Sequence, residues 1–141
     1  MTLPDVNALV YAHKRESVYH QDYATWLTHL VENESFAVAN VILSGFIRIT
    51  THPKIYTPPS TLEEALSFAD NLVNHPNCTV IAPGPRHWSI FTGFCQEIDA
   101  RGNDVTDAYL AALATEHNCE FVTADKGFVR FPGLRWRHPL G

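Results

Sequence analysis

The stretch Asn103-Asp104-Val105-Thr106-Asp107-Ala108-Tyr109-Leu110-Ala111-Ala112-Leu113-Ala114 decides how the rest of the chain is read. It predicts a helix with acid at its start, where unpaired backbone N–H groups favour negative charge. Ala108, Ala111, Ala112 and Ala114 would let another element come close to its axis. Downstream, Phe121-Val122-Thr123-Ala124-Asp125 reads as a buried strand ending on a carboxylate, and a third acid stands in Leu3-Pro4-Asp5-Val6-Asn7. The expectation is that Asp5, Asp107 and Asp125 converge in one cleft and hold a divalent metal. Asp5 taken alone has two readings, a ligand at the C-terminal end of a strand or an N-cap of the next helix. Asn7 could orient Asp5 or cap that helix.

Around these acids, short apolar runs alternate with amphipathic ones. Strands are predicted at Met1–Leu3, Phe36–Ala39, Cys78–Ala82 and Glu120–Thr123. Helices are predicted from Asp5 to Ala12, His20 to Glu32, Asn40 to Thr51, after Ser60, from His87 to Ala100 and over the opening stretch. Ser60 with Glu63 and Thr61 with Glu64 form overlapping capping boxes. Gly45 within an apolar helix suggests a close helix contact, and His87 reads as a surface residue near a cap. Phe128, Phe131, Leu134 and Trp136 are expected to pack the last segment onto the sheet edge. The order β, α, α, repeated and closed by β, favours an α/β/α sandwich with a short-stranded, mostly parallel sheet, one domain over residues 1–141.

The 141 residues suit one domain with a sizeable core. A net charge of −5 argues against a general nucleic-acid-coating protein, though not against an enzyme with a local basic rim. Lys126, Arg130, Arg135 and Arg137 form the densest basic stretch, either a grip on backbone phosphates or a solvated edge. The three cysteines are scattered, so neither a disulfide framework nor a zinc site is suggested. No apolar run reaches the length of a membrane span and no leader is visible, so a cytoplasmic protein without a membrane partner is expected.

Mg²⁺ or Mn²⁺ wants hard oxygen ligands, and carboxylates from separate elements supply them. Such an ion can polarise a phosphodiester. Acids packed together repel one another and need a cation or altered protonation to coexist. Thr123 and Thr106 each precede an acid closely enough to hydrogen-bond and aim it. Asp104 lies three residues before Asp107 and is a candidate supplementary ligand or a first-turn acid. Arg48, the lone base in its apolar run, could neutralise acids near the cleft or reach solvent at the helix end.

The opening Asp5-Val6-Asn7-Ala8-Leu9-Val10-Tyr11 resembles the D-x-N-x-L-V-Y start of PIN-domain ribonucleases, above all VapC-type toxins of the group abundant in mycobacteria. Gly45-Phe46-Ile47-Arg48-Ile49-Thr50-Thr51-His52-Pro53 is similar to that group's G-F-x-R segment, and Gly102-Asn103 through Ala114 to its G-N-x-V-x-D-A segment. Thr123-Ala124-Asp125 and Phe128 through Trp136 resemble its T-A-D and F-x-x-F-P-G-L-x-W ending. The resemblance implies a PIN fold, Mg²⁺ or Mn²⁺ dependence, endoribonuclease activity on RNA, homodimerisation and neutralisation by a small antitoxin in a hetero-oligomer. It carries Asp5, Asp107 and Asp125 over as metal-binding acids, with Arg48 and Thr123 as supporting residues. Asn40 is aligned with the family's usual glutamate, Asp104 with an apolar position, and Gly127 with a frequent acid. Asn40 therefore opens an alternative: a PIN fold with weakened catalysis that binds RNA or protein. A phosphoacceptor or phosphohydrolase α/β protein is a third, less well-fitting reading.

Overall fold

The computed structural model describes the whole chain, Met1–Gly141. Strands and helices alternate in the expected order: β1 (Thr2–Pro4), α1 (Val6–His13), α2 (His20–Asn33), β2 (Phe36–Ala39), α3 (Asn40–Thr50), α4 (Leu62–Val73), β3 (Cys78–Ile81), α5 (His87–Glu97), α6 (Asn103–Glu116) and β4 (Glu120–Val122). A 3-10 turn over Lys126–Arg130 and a two-residue strand, β5 (Trp136–Arg137), complete it. The five strands lie in the order β3-β2-β1-β4-β5, and every pairing is parallel. Parallel sheets are covered on both faces, so their strands read as continuous apolar runs. Phe36–Ala39 is such a run and is buried at every residue. Six helices flank the sheet: α1 packs on α2 and α3, α3 on α4, and α5 on α6.

The central strand is β1, although it contains a proline. Pro4 tolerates this place because it ends the strand. The ladder to β4 is continued by the next residue, whose Asp5 N–H donates to Val122 O at 2.8 Å. The core is aromatic: Phe36, Phe46, Phe121 and Phe128 are fully buried. Phe46 stacks on Phe68 with centroids 4.8 Å apart, and Phe121 meets Phe128 at 4.8 Å. Gly45 sits where α3 crosses α1, and a Cβ there would lie 3.2 Å from Val6 Cγ2, so the missing side chain sets how close the helices come.

Four local expectations are revised. Only one capping box forms: Glu64 N–H donates to Thr61 Oγ1 at 3.1 Å and Thr61 N–H to Glu64 Oε1 at 3.1 Å. Ser60 turns away from Glu63, its hydroxyl taken by His13 Nε2 at 3.0 Å and Lys14 Nζ at 3.2 Å. His87 is buried, not superficial, with Nε2 3.0 Å from Tyr109 O. The C-terminal segment does more than cover an edge, since Trp136 and Arg137 pair with Phe121 and Val122 as a fifth strand. Helix α6 begins after Gly102, whose φ of 55° suits a residue without Cβ, so Asp104 occupies the first turn and Asp107 lies one turn further in. The three cysteines are free, and no helix is long and apolar enough to cross a membrane.

Candidate active site

Strand order places the site. The chain builds β2 and β3 on one side of β1, then returns to β4 on the other. In open α/β sheets, ligands bind beyond the strands' carboxyl ends at such a reversal. Asp5 leaves β1 there, Asp125 follows β4, and α6, which feeds β4, supplies Asp107. All three carboxylates line one groove of about 410 Å³ together with Asn7. Tyr11, Ile49, Ile55, Tyr56 and Phe128 form its apolar walls.

Asp5 is both a cap and a groove residue. It is 6% exposed; Oδ1 accepts from Val6 N–H at 2.7 Å and so caps α1. Oδ2 accepts the hydroxyl of fully buried Thr123 at 2.7 Å. Thr123 Oγ1 also accepts from Asp125 N–H at 3.0 Å and from Asn7 Nδ2 at 3.2 Å. One hydroxyl therefore ties the β1 acid to the β4 acid. Asn7 fastens the other side, its Oδ1 accepting from Ala124 N–H at 3.1 Å. Of its two expected roles, orienting the site is the one it takes. Burial pushes the Asp5 carboxyl up from 3.8 to about 6; the Thr123 and Val6 hydrogen bonds oppose the rise, and the charges of Asp107 and Asp125 add to it.

Asp107 is held differently. Burial raises its pKa, while the Arg130 guanidinium lowers it through a hydrogen bond and its charge. Arg130 Nη2 lies 2.9 Å from Asp107 Oδ2 and 3.2 Å from Asp104 Oδ1. Asp104 also accepts from Arg101 N–H at 3.2 Å, and it does not line the groove. Asp125 uses Oδ1 to accept Gly127 N–H at 2.8 Å at the start of the 3-10 turn. The acids share the groove without closing into a ready-made coordination sphere.

The PIN-domain family model matches residues 2–134 of the chain. The chain belongs to the PIN-domain family. Ribonuclease VapC43 of Mycobacterium tuberculosis is 42% identical to it over 141 residues, covering 99% of this chain and 96% of that protein. Ribonuclease VapC25 of the same organism is 35% identical over 140 residues, 99% of each chain. Two solved structures share the fold: VapBC2 of Rickettsia felis bound to a promoter DNA fragment has a TM-score of 0.71, 20% identity and 97% coverage of both chains. VapBC-1 of nontypeable Haemophilus influenzae has a TM-score of 0.71, 16% identity, and covers 99% of this chain and 98% of its own.

The remaining candidates lie elsewhere in this PIN domain. Asn40 is exposed at the start of α3 and lines a separate depression with Val41, Val80, Ile81, Tyr109 and Leu113. It is not among the residues that line the groove of the three acids. Arg48 is exposed on α3 and pairs with no carboxylate, the solvent-reaching alternative of its two readings. The basic stretch divides. Arg137 pairs with Glu120 at 2.7 Å and Arg135 Nη2 donates to Asn118 O at 2.7 Å, so both brace the sheet edge. Arg130 alone reaches the acids. Its local sequence carries no sign of that partnership, because Asp104 and Asp107 are more than twenty residues away. Of the aromatic wall, Tyr11 closes the opening motif, whereas Tyr56 sits in a loop whose sequence gives no sign of the groove. A larger polar depression of about 490 Å³ around His13, Lys14 and Ser60 contains none of the three acids.

Proposed function

We propose that this PIN domain is a divalent-metal-dependent endoribonuclease and the toxin of a toxin–antitoxin pair. The carrying observation is the convergence of Asp5, Asp107 and Asp125, remote in sequence, on one groove at the sheet's reversal point. The donor set suits Mg²⁺ or Mn²⁺, because it is made of carboxylate oxygens and contains no thiolate or imidazole. The raised Asp5 carboxyl and the repulsion it feels from its two neighbours are what a cation would relieve. Asp5, Asp107 and Asp125 would hold the ion, which would polarise an RNA phosphodiester and offset charge on the departing oxygen.

The protein groups supply orientation. Thr123 and Asn7 fix the Asp5 and Asp125 side of the groove. Tyr11 and Tyr56 offer aromatic surface of the kind on which unpaired RNA bases stack. Asn40 stands apart, so its neutral side chain leaves the acid set intact and gives no reason for weakened catalysis. The relatives are named ribonucleases, and the solved neighbours include VapBC assemblies, which supports a small antitoxin as the partner of a cytoplasmic, homodimeric toxin.

The test is cleavage of a mixed RNA substrate by purified protein with Mn²⁺. Asp5→Ala and Asp107→Ala are each expected to abolish cleavage and relieve growth arrest on induction. Undiminished cleavage by both variants would refute the reading.

A further inference from the structure

We propose that Arg130 is the site's built-in counter-ion, competing with the divalent cation for Asp107, and that Asp104 is the place to which it withdraws. The inference rests on the metal-dependent reading above. Arg130 is the one base that touches a groove acid, at 2.9 Å from Asp107 Oδ2. Its second contact, 3.2 Å to Asp104 Oδ1, is to an acid that does not line the groove. Asp104 has a further tether to Arg101 N–H, so it stays put when the arginine shifts. The guanidinium also lies over the Phe131 ring at 5.1 Å, which holds the arm across the site's rim.

The path of this arm depends on Gly127. A Cβ at that position would stand 3.1 Å from Arg130 Nη1 and 2.9 Å from Asp125 Oδ1. The missing side chain thus leaves the gap through which Arg130 passes from the 3-10 turn to α6, beside the Asp125 carboxylate. A cation binding Asp107 through Oδ2 needs the lone pairs that Arg130 now occupies, and one on Oδ1 meets the guanidinium charge beside it. The arginine can give up the 2.9 Å contact and keep the 3.2 Å one, exchanging one carboxylate for another without entering water unpaired. This gives Asp104 a role other than supplementary ligand, and it gives an arginine from the basic stretch a partner before any phosphate arrives.

The experiment is a calorimetric titration of Mn²⁺ into the full chain without RNA. Arg130→Gln is expected to bind Mn²⁺ about two- to fivefold more tightly than the parent protein, the scale of half-exposed ion pairs. Asp104→Asn, which leaves the arginine resting on Asp107 alone, is expected to bind it more weakly. Lys126→Gln removes a neighbouring positive charge that pairs with no acid, and its affinity is expected to stay within a factor of about 1.5, as screening of exposed charge dictates. Arg130→Lys, too short to hold both acids, serves if the Gln variant does not fold, with an intermediate gain expected. Parent-like or weaker Mn²⁺ binding by the Arg130 variant overturns the proposal, as does an equal gain from Lys126→Gln. Asp107→Asn separates the two levels. If it binds Mn²⁺ like the parent protein, the metal-dependent reading falls. If it loses Mn²⁺ while Arg130→Gln is unchanged, only the counter-ion role falls.

Discussion

Replacing Asp5 by asparagine converts the buried carboxyl into a measurable pH dependence. Burial moves this group from 3.8 to about 6 in the folded domain. At about 1.4 kcal/mol per pH unit, that difference corresponds to roughly 3 kcal/mol. The folded state holds the proton more tightly than the unfolded chain. Below the ordinary value both states are protonated and nothing is lost. As pH rises from the ordinary value to about 6 the unfolded chain ionises while the folded protein keeps its proton, so stability falls over that window and levels off above it. Asparagine has no such transition. Its amide N–H would face the Thr123 hydroxyl that now donates to Oδ2, a cost that does not vary with pH. The informative quantity is therefore the change with pH in the stability difference between variant and parent, in which other titrations cancel. In urea denaturation with chelator present, Asp5→Asn is expected to gain on the parent by about 2–3 kcal/mol between pH 4 and pH 7.5. A difference that stays flat, or that turns against the variant as pH rises, would refute the account of Asp5. Mn²⁺ at a hundredfold excess over its dissociation constant should then return about 2.7 kcal/mol to the parent and little to the variant.

Thr123→Val removes the hydroxyl joining Asp5 to the Asp125 backbone and leaves the buried Asp5 Oδ2 only the 3.4 Å contact from Asn7 Nδ2, so denaturant midpoints should report a loss of about 1–3 kcal/mol. Gly127→Ala brings a Cβ to 2.9 Å from Asp125 Oδ1 and 3.1 Å from Arg130 Nη1, and the melting temperature should move little because the atoms that must yield are ends of side chains. Thr61→Ala breaks the α4 capping box and should cost about 0.5–2 kcal/mol by thermal melting, with RNA cleavage unaffected. Asn40→Glu should leave cleavage unchanged, because the residue faces the β3 depression and not the acid groove; a large gain would show that the groove extends to it.

Much of the architecture was legible because buried parallel strands are uninterrupted apolar runs. Phe36-Ala37-Val38-Ala39 and Phe121-Val122 could hardly be anything else once bounded by polar residues and helices. The acids that meet were legible for a related reason: each follows a strand or sits near a helix start, and strand ends on one side of a parallel sheet are neighbours. Trp136–Arg137 could not be read as a strand, since two residues have no period and their pairing with β4 is purely tertiary. The same holds for Arg130, whose acids lie on another element. Asn40 heads α3 as a site residue would, and it lines the depression with Val80 and Tyr109. Asp107 lies one turn inside α6 because the helix begins at Asn103, after Gly102.

The central strand has a bearing on biosynthesis. Thr2 pairs on one side with Phe36 and on the other with Glu120, so the first strand to leave the ribosome waits for nearly the last before its second edge is satisfied. Asp5 is translated long before Thr123 and Asp125 exist to hold it in place. A nascent or prematurely terminated chain that stops before Asp107 therefore carries one acid of the set and no groove. The groove takes shape only once the first strand of the domain has paired with β4.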